Sequence, residues 1–440
     1  MDTPQAAAPI CAGNSNPLFS LTRAIAPHRK GVNGIGKDRQ QSTLSEHVHG
    51  ITYRHPPMAR DWCSSTFSGI PALNHRNMNE TISAIETITL RIPLDIWAPA
   101  PMSQGVPRTH VESLYVRVTT SGGVVGWGES FGTARPMVVA AFDNWIRRLA
   151  VGQSASDEEL VPRIERMLLS LSRSGPLAHA LAGLDIALWD IRGKLAGVPV
   201  STLLGGAKRT RVEGYASLLQ YSGNPEHIKR NTARALERGY RQIKLHERTP
   251  EAVAAARQVT GPDIPLMVDT NCAWTPAEAE AAVAAMAPYK PFWVEEPIYP
   301  PEDFEALAKL RTVTGVPMGI GENSTSLREF RRMVTVGKAD YVQPAMVKLG
   351  ITAMAKVAAE VEQAGATCVP NAFYLGPAFL AVLHCLAAKD KVSPLERMFA
   401  DLGATPFSKT VPIINGGVEV PQGPGLGADP EDDLIAQFRV

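Results

Sequence analysis

Long apolar runs are missing from this 440-residue chain. No stretch reaches 18 uninterrupted apolar residues, which excludes a membrane-spanning helix on length. An excess of charge is missing too. With 44 Lys and Arg against 43 Asp and Glu, the formal net charge is +1, so there is no basic surplus for nucleic acid or anionic lipid. Cysteine is scarce and odd in number: Cys11, Cys63, Cys272, Cys368 and Cys385 form no C-x-x-C pair. That argues against a disulfide framework or a structural zinc, and for a reducing, cytoplasmic setting. What remains is a chain 45% hydrophobic, with enough apolar material for more than one core.

The first 77 residues read differently from the rest. They carry His28, His47, His49, His55 and His75, much Gly, Ser, Asn and Pro, and no sustained hydrophobic period. Such a segment buries too little apolar surface to offset its ordering entropy. It reads as a disordered extension, or as sequence upstream of a start at Met78. Residues 31–37 (GVNGIGK) lack both the spacing of a phosphate loop and a preceding apolar strand.

Beyond it, residues 82–93 (ISAIETITLRIP) and 112–119 (ESLYVRVT) alternate apolar and polar residues as half-buried antiparallel strands do. Ser121-Gly122-Gly123 turns the chain into a third strand, VVGWGES. Leu181, Leu184, Leu188, Ile191 and Leu195 then recur at helical spacing. Strands followed by helices describe an α+β capping domain over 78–206.

Residues 207–407 repeat. Short apolar runs appear at 212–218, 242–246, 266–271, 292–297, 318–323, 341–346, 367–372 and 396–401, with amphipathic or alanine-rich segments between them. That is the rhythm of strand–helix units closing into a parallel barrel. The fold class is therefore α/β: a modified (β/α)8 barrel, TIM-like and of (β/α)7β type, with the α+β domain as its cap. Residues 408–440, rich in Gly and Pro, are expected to return to the capping domain.

In a barrel, the C-terminal ends of the strands form the active rim. Asp269, Glu295 and Glu322 close three consecutive runs, 26 and 27 residues apart. Three acids at one height repel unless a cation lies between them, and oxygen-only ligands favour a hard ion such as Mg²⁺. The bland alternative is three solvated loop acids. The second run ends Lys244-Leu245-His246, where alternation turns Lys244 and His246 into the mouth and Leu245 outward. A lysine there can hold a substrate carboxylate, and a histidine is a natural proton acceptor.

These residues resemble the enolase superfamily, in its mandelate racemase and muconate lactonizing enzyme branch. Residues 180–205 (ALAGLDIALWDIRGKLAGVPVSTLLG) match that family's helix signature, and V-D-x-N, V-E-E-P and G-E-N follow in its order and spacing. The resemblance implies Asp269, Glu295 and Glu322 as magnesium ligands. It implies Glu396 as a group facing the substrate, and homo-oligomers as the common state; Asn271 and Asn371 are further candidates for contact with the substrate. It also implies abstraction of the proton α to a carboxylate through an enediolate, with Lys or His as base.

Departures from the pattern narrow the reaction. His246 stands where the second lysine of a K-x-K is usual. Ala345 and Asn371 occupy the sixth- and seventh-strand positions where racemases of this branch keep an opposing base. Lys348 is either that base displaced by a register shift or a structural lysine on barrel carbonyls. With one evident base, dehydration of an acid sugar or other 2-hydroxy acid is favoured. A racemase, epimerase or cycloisomerase on the same scaffold is the alternative. A non-catalytic carboxylate-binding barrel is the alternative of another class. The expected partner is a small carboxylate, and residues 97–110 are suited to closing over it.

Overall fold

The computed structural model describes residues 80–440, except 104, 406 and 408–410. The extension expected over 1–77 lies outside the described residues, as do Cys11 and Cys63. Cys272, Cys368 and Cys385 are free thiols. Among the described residues no helix is long and apolar enough to cross a membrane.

The chain opens with an antiparallel sheet: β1 (Ile82–Asp95), β2 (His110–Thr120) and β3 (Val125–Ser130). Between β1 and β2 lies a small hairpin pairing Met102–Ser103 with Val106–Pro107. Helix α1 (Pro176–Ala196) packs across the sheet. The glycines of the VVGWGES run explain how closely it does so. A Cβ on Gly126 or Gly128 would stand 2.3 Å from the Ala187 carbonyl oxygen or 2.0 Å from that of Gly183. The leucine stripe of α1 joins Leu114, Val116 and Val118 in one apolar layer.

Eight parallel strands follow: β4 (Arg211–Leu218), β5 (Ile243–Leu245), β6 (Leu266–Asp269), β7 (Val294–Glu295), β8 (Met318–Ile320), β9 (Tyr341–Val342), β10 (Thr367–Cys368) and β11 (Leu395–Phe399). Each of β4 to β9 pairs with the next, and β11 pairs back on β4. All eight coincide with the apolar runs of the sequence. Alternation divides their side chains between two layers. Ile243, Leu245, Leu266, Val268 and Val294 face outward into the core shared with the helices. Tyr215, Met267, Trp293 and Val369 fill the interior, beside Lys244, Asp269 and Glu295, which are all but fully buried.

Two of the contacts that fasten the sheet-and-helix unit to the barrel are polar and made by buried carboxylates. Helix α2 (Met346–Gln363) is interrupted at Gly350, where φ is 76°. Asp185 of α1 accepts hydrogen bonds there from the Thr352 amide at 2.9 Å and hydroxyl at 2.6 Å. Helix α3 (Pro377–Ala388) has Gly376 at its N-cap, with no side chain of its own to cap it. Glu129 of β3 supplies that group, its carboxylate accepting from the Ala378 amide at 3.1 Å.

The C-terminal stretch meets both parts. β12 (Gly417–Glu419) pairs antiparallel with β4. Helix α4 (Asp432–Phe438) then sets Leu434 and Ile435 against Ile88, Leu90, Tyr115 and Trp127. The Leu426 amide donates to Asp190 of α1 at 2.8 Å.

Glu129 makes the second fastening sensitive to pH. Burial raises its pKa from 4.5 to about 7, against its hydrogen bonds with Ala378, Ser113 and Gly376. The folded state therefore holds a proton that the unfolded chain has already released. The contribution of this group to stability is expected to fall as pH rises from 4.5 toward 7, by roughly 3 kcal/mol at most, and to level off above. Urea denaturation across that range should show the slope in the native protein. It should be shallower in Glu129→Gln, which keeps the shape without the ionisation, the remainder belonging to Asp190, Glu295, Glu296 and Glu322.

Candidate active site

The strand ends deliver charged groups to a small volume. Asp269 closes β6 and Glu295 closes β7, while Glu322 sits two residues beyond β8, past Gly321. One oxygen from each of the three lies within 4.8 Å of the others. Lys244, fully buried, projects from β5 into the same space. Its Nζ lies 3.1 Å from Asp269, 2.7 Å from Glu295 and 3.0 Å from Glu396 of β11. One ammonium thus stands among three carboxylates.

The electrostatics follow from that count. Burial alone would raise Asp269, but Lys244 and His246 outweigh it and hold its carboxyl well below the usual range. Glu295 and Glu322 go the other way. Burial and the neighbouring carboxylates push both up to about 8, more than Lys244 can offset. The cluster is short of positive charge. Asp269 Oδ2 faces Lys244 and His246 without a well-directed hydrogen bond. A buried, unsatisfied oxygen in an all-carboxylate triad is the donor set a hard divalent cation takes.

His246 is positioned by its other nitrogen. Nδ1 lies 2.6 Å from the Leu218 carbonyl, so it carries a proton and donates it there. Nε2 then faces the cluster, 3.3 Å from Asp269. Burial opposes the imidazolium, and Asp269 more than restores it, so the His246 pKa is raised. Phe373 packs against the ring, with centroids 5.7 Å apart.

The remaining candidates fall around the same cavity of about 450 Å³, lined by His246, Asn271, Glu322, Lys348, Asn371 and Glu396 among others. The Asn371 amide donates to Glu322 and to Glu396, each at 3.0 Å. Glu396 also accepts from Ser217 at 2.9 Å and from the Ala372 amide at 3.1 Å. Asn271 is exposed at the rim, its backbone N–H donating to Asp269 at 2.9 Å. Ala345 and Asn371 lie side by side in a parallel bridge. Lys348, in the first turn of α2, donates to the Glu322 carbonyl at 2.8 Å and to Asn323 at 3.1 Å.

The ammonium of Lys244, expected to hold a substrate carboxylate, stands in this structure against Asp269, Glu295 and Glu396. Four groups were not anticipated. Trp293 and Gln343 donate to Glu295 Oε2 at 3.0 and 2.6 Å. Trp293 was accessible in principle, since it lies two residues before Glu295 and so on the same side of the strand. Strand alternation by itself would point Glu296 outward. A φ of 44° turns the backbone instead, and its carboxylate accepts from Asn323 at 2.9 Å. Arg108, from the loop after β1, lines the cavity on the capping side.

Comparison with known proteins now bears on this geometry. Residues 84–205 match the mandelate racemase / muconate lactonizing enzyme N-terminal domain, and residues 227–434 match the enolase C-terminal domain-like family. The chain belongs to the mandelate racemase and muconate lactonizing enzyme branch of the enolase superfamily. It is 31% identical to the D-galactarolactone cycloisomerase of Agrobacterium fabrum over 381 residues, 82% of this chain and 99% of that one. It is 29% identical to the D-gluconate dehydratase of Thermoproteus tenax, over 74% of this chain and 70% of that one. A racemase from Streptomyces coelicolor A3(2), solved with bound magnesium, superposes with a TM-score of 0.72 at 26% identity, covering 82% of this chain and 100% of that one.

If the triad takes a divalent ion, Glu295 and Glu322 must first shed protons. Binding of Mg²⁺, followed by calorimetry in buffers of different ionisation heat, is therefore expected to release protons. It should tighten as pH rises toward about 8. Asp269→Asn should weaken binding by more than about 100-fold. Gln343→Ala, which only frees Glu295, should fall within the roughly 10- to 100-fold typical of outer partners.

Proposed function

We propose that this enzyme removes the proton α to the carboxylate of an acid sugar and expels the oxygen on the neighbouring carbon, with His246 as the base. The observation that carries this is the single base. His246 has Nδ1 fixed on a carbonyl and Nε2 directed at the cluster. The positions where a second base would stand hold Ala345 and Asn371.

The residues divide the work. Asp269, Glu295 and Glu322 would hold Mg²⁺, which when bound supplies positive charge to the substrate carboxylate. Proton removal places a second negative charge on that carboxylate as the enediolate forms. Lys244 contributes its buried ammonium to that charge, and in a water-poor site such a fixed cation acts strongly. Asn371 and Ser217 hold Glu396 in place. Once His246 carries the proton, it can return it to the departing oxygen on the same face. If that oxygen is a free hydroxyl, water leaves and a 2-keto acid results. If it belongs to a ring, the ring opens and the product is an isomer. Dehydration and ring-opening isomerisation are thus one elimination with two kinds of leaving group. This accounts for relatives named for both activities.

A second reading keeps one specific observation. Lys348 faces the same cavity, and burial lowers its pKa despite Glu322 and Glu296. As an opposing base it would make the enzyme a racemase or epimerase.

Purified protein incubated with aldonic, aldaric and lactone substrates is expected to form 2-keto acid with Mg²⁺ and none with chelator. His246→Ala should lose at least about 1,000-fold in turnover while still binding the ion. Undiminished activity in that variant would overturn the assignment. For the second reading, α-proton exchange in D₂O from both enantiomers, halved to one in Lys348→Met, would be decisive.

A further inference from the structure

The cavity has two chemically opposite walls. The barrel side carries the carboxylate cluster. The capping side carries Arg108, just past the Met102–Ser103 and Val106–Pro107 hairpin. Its guanidinium carbon stands 5.2 Å from the centroid of the Phe373 ring, and Phe373 packs against His246. The cation is therefore one aromatic ring away from the proposed base.

Arg108 differs from the arginines near it. Arg91, on the same wall, lies 3.9 Å from Glu112, and Arg135 meets the other oxygen of that carboxylate. Glu129 is committed to the Ala378 amide. Among the described residues Arg108 has no carboxylate partner and no side-chain hydrogen bond, only its place over Phe373. It is half-buried, and burial with no counter-charge lowers its pKa. A guanidinium offers five donors in a planar fork that matches a carboxylate. Leaving such a fork partly desolvated and unpaired is costly, unless a ligand completes it. Its stacking on Phe373 already fixes one face and leaves the edge for that ligand.

We propose that Arg108 clamps a second carboxylate, at the end of the substrate remote from the carbon that loses its proton. The enzyme then selects sugar diacids over the matching monoacids. This rests on the reading of the barrel site given above, which assigns the first carboxylate to the cluster. The second anion has no place beside Asp269, Glu295, Glu322 and Glu396, so the two ends of the substrate are distinguished by charge.

The test compares equilibrium binding of matched pairs, each an aldaric acid of four to six carbons and its aldonic counterpart, to the Mg²⁺-loaded protein. The native protein is expected to favour at least one diacid over its monoacid by about tenfold or more, the scale of a charge-assisted bidentate pair. Arg108→Gln should abolish that preference. Arg108→Lys, which keeps a point charge without the fork, should retain part of it. A native protein with no diacid preference overturns the proposal, as does a preference that survives in Arg108→Gln. Turnover is scored separately. If nothing is converted but the Arg108-dependent preference holds, the elimination falls and the clamp stands.

Discussion

Carboxylates crowded inside a parallel barrel cannot all be ionised without a cation among them, and much of this structure answers that constraint. Asp269, Glu295, Glu322 and Glu396 converge from four neighbouring parts of the barrel, with Glu296 beside them, while the Lys244 ammonium is buried among Asp269, Glu295 and Glu396. The result is uneven. Asp269 is held ionised, whereas Glu295, Glu296 and Glu322 are pushed toward the protonated form by burial and by one another. Such a site is unfinished electrostatically. It favours whatever positive charge can enter, and it resists the approach of a further anion.

The surroundings keep that tension in place. Trp293 and Gln343 grip one oxygen of Glu295 and Lys244 the other. Asn371 ties Glu322 to Glu396, and Ser217 and the Ala372 amide complete the shell of Glu396. Below, Tyr215, Met267 and Val369 fill the barrel with apolar volume, so water does not dilute the charges from that side. Geometry of this kind is what catalysis by fixed dipoles and charges requires, since little reorganisation remains to be done when the reaction begins.

The opposite wall comes from a different part of the chain. It is set by contacts remote from the chemistry: Gly126 and Gly128 beneath α1, Asp185 on the break in α2, Glu129 on the start of α3. Through them the loop after β1 is brought over the cluster, and with it a cation without a partner. Polarity across the cavity is therefore a property of how two units pack, while the carboxylate cluster belongs to the barrel alone. A substrate that spans the cavity meets both.

What the sequence determined by itself was whatever local geometry encodes. The strand period of two placed Lys244 and His246 on one side and Leu245 on the other. The regular spacing of strand ends aligned Asp269, Glu295 and Glu322, and the helical period identified α1. These follow from backbone stereochemistry within a few residues. Tertiary structure decided the rest, because it depended on neighbours distant in sequence. It set the Lys244 ammonium among three carboxylates. It turned Glu296 back toward Asn323 through a positive φ that strand alternation does not foresee. It pinned His246 Nδ1 on Leu218 and turned Nε2 toward Asp269. It also stacked Arg108 on Phe373, joining two units that no local periodicity relates. Periodicity fixes which side of its own strand a residue faces; only packing fixes what it meets there.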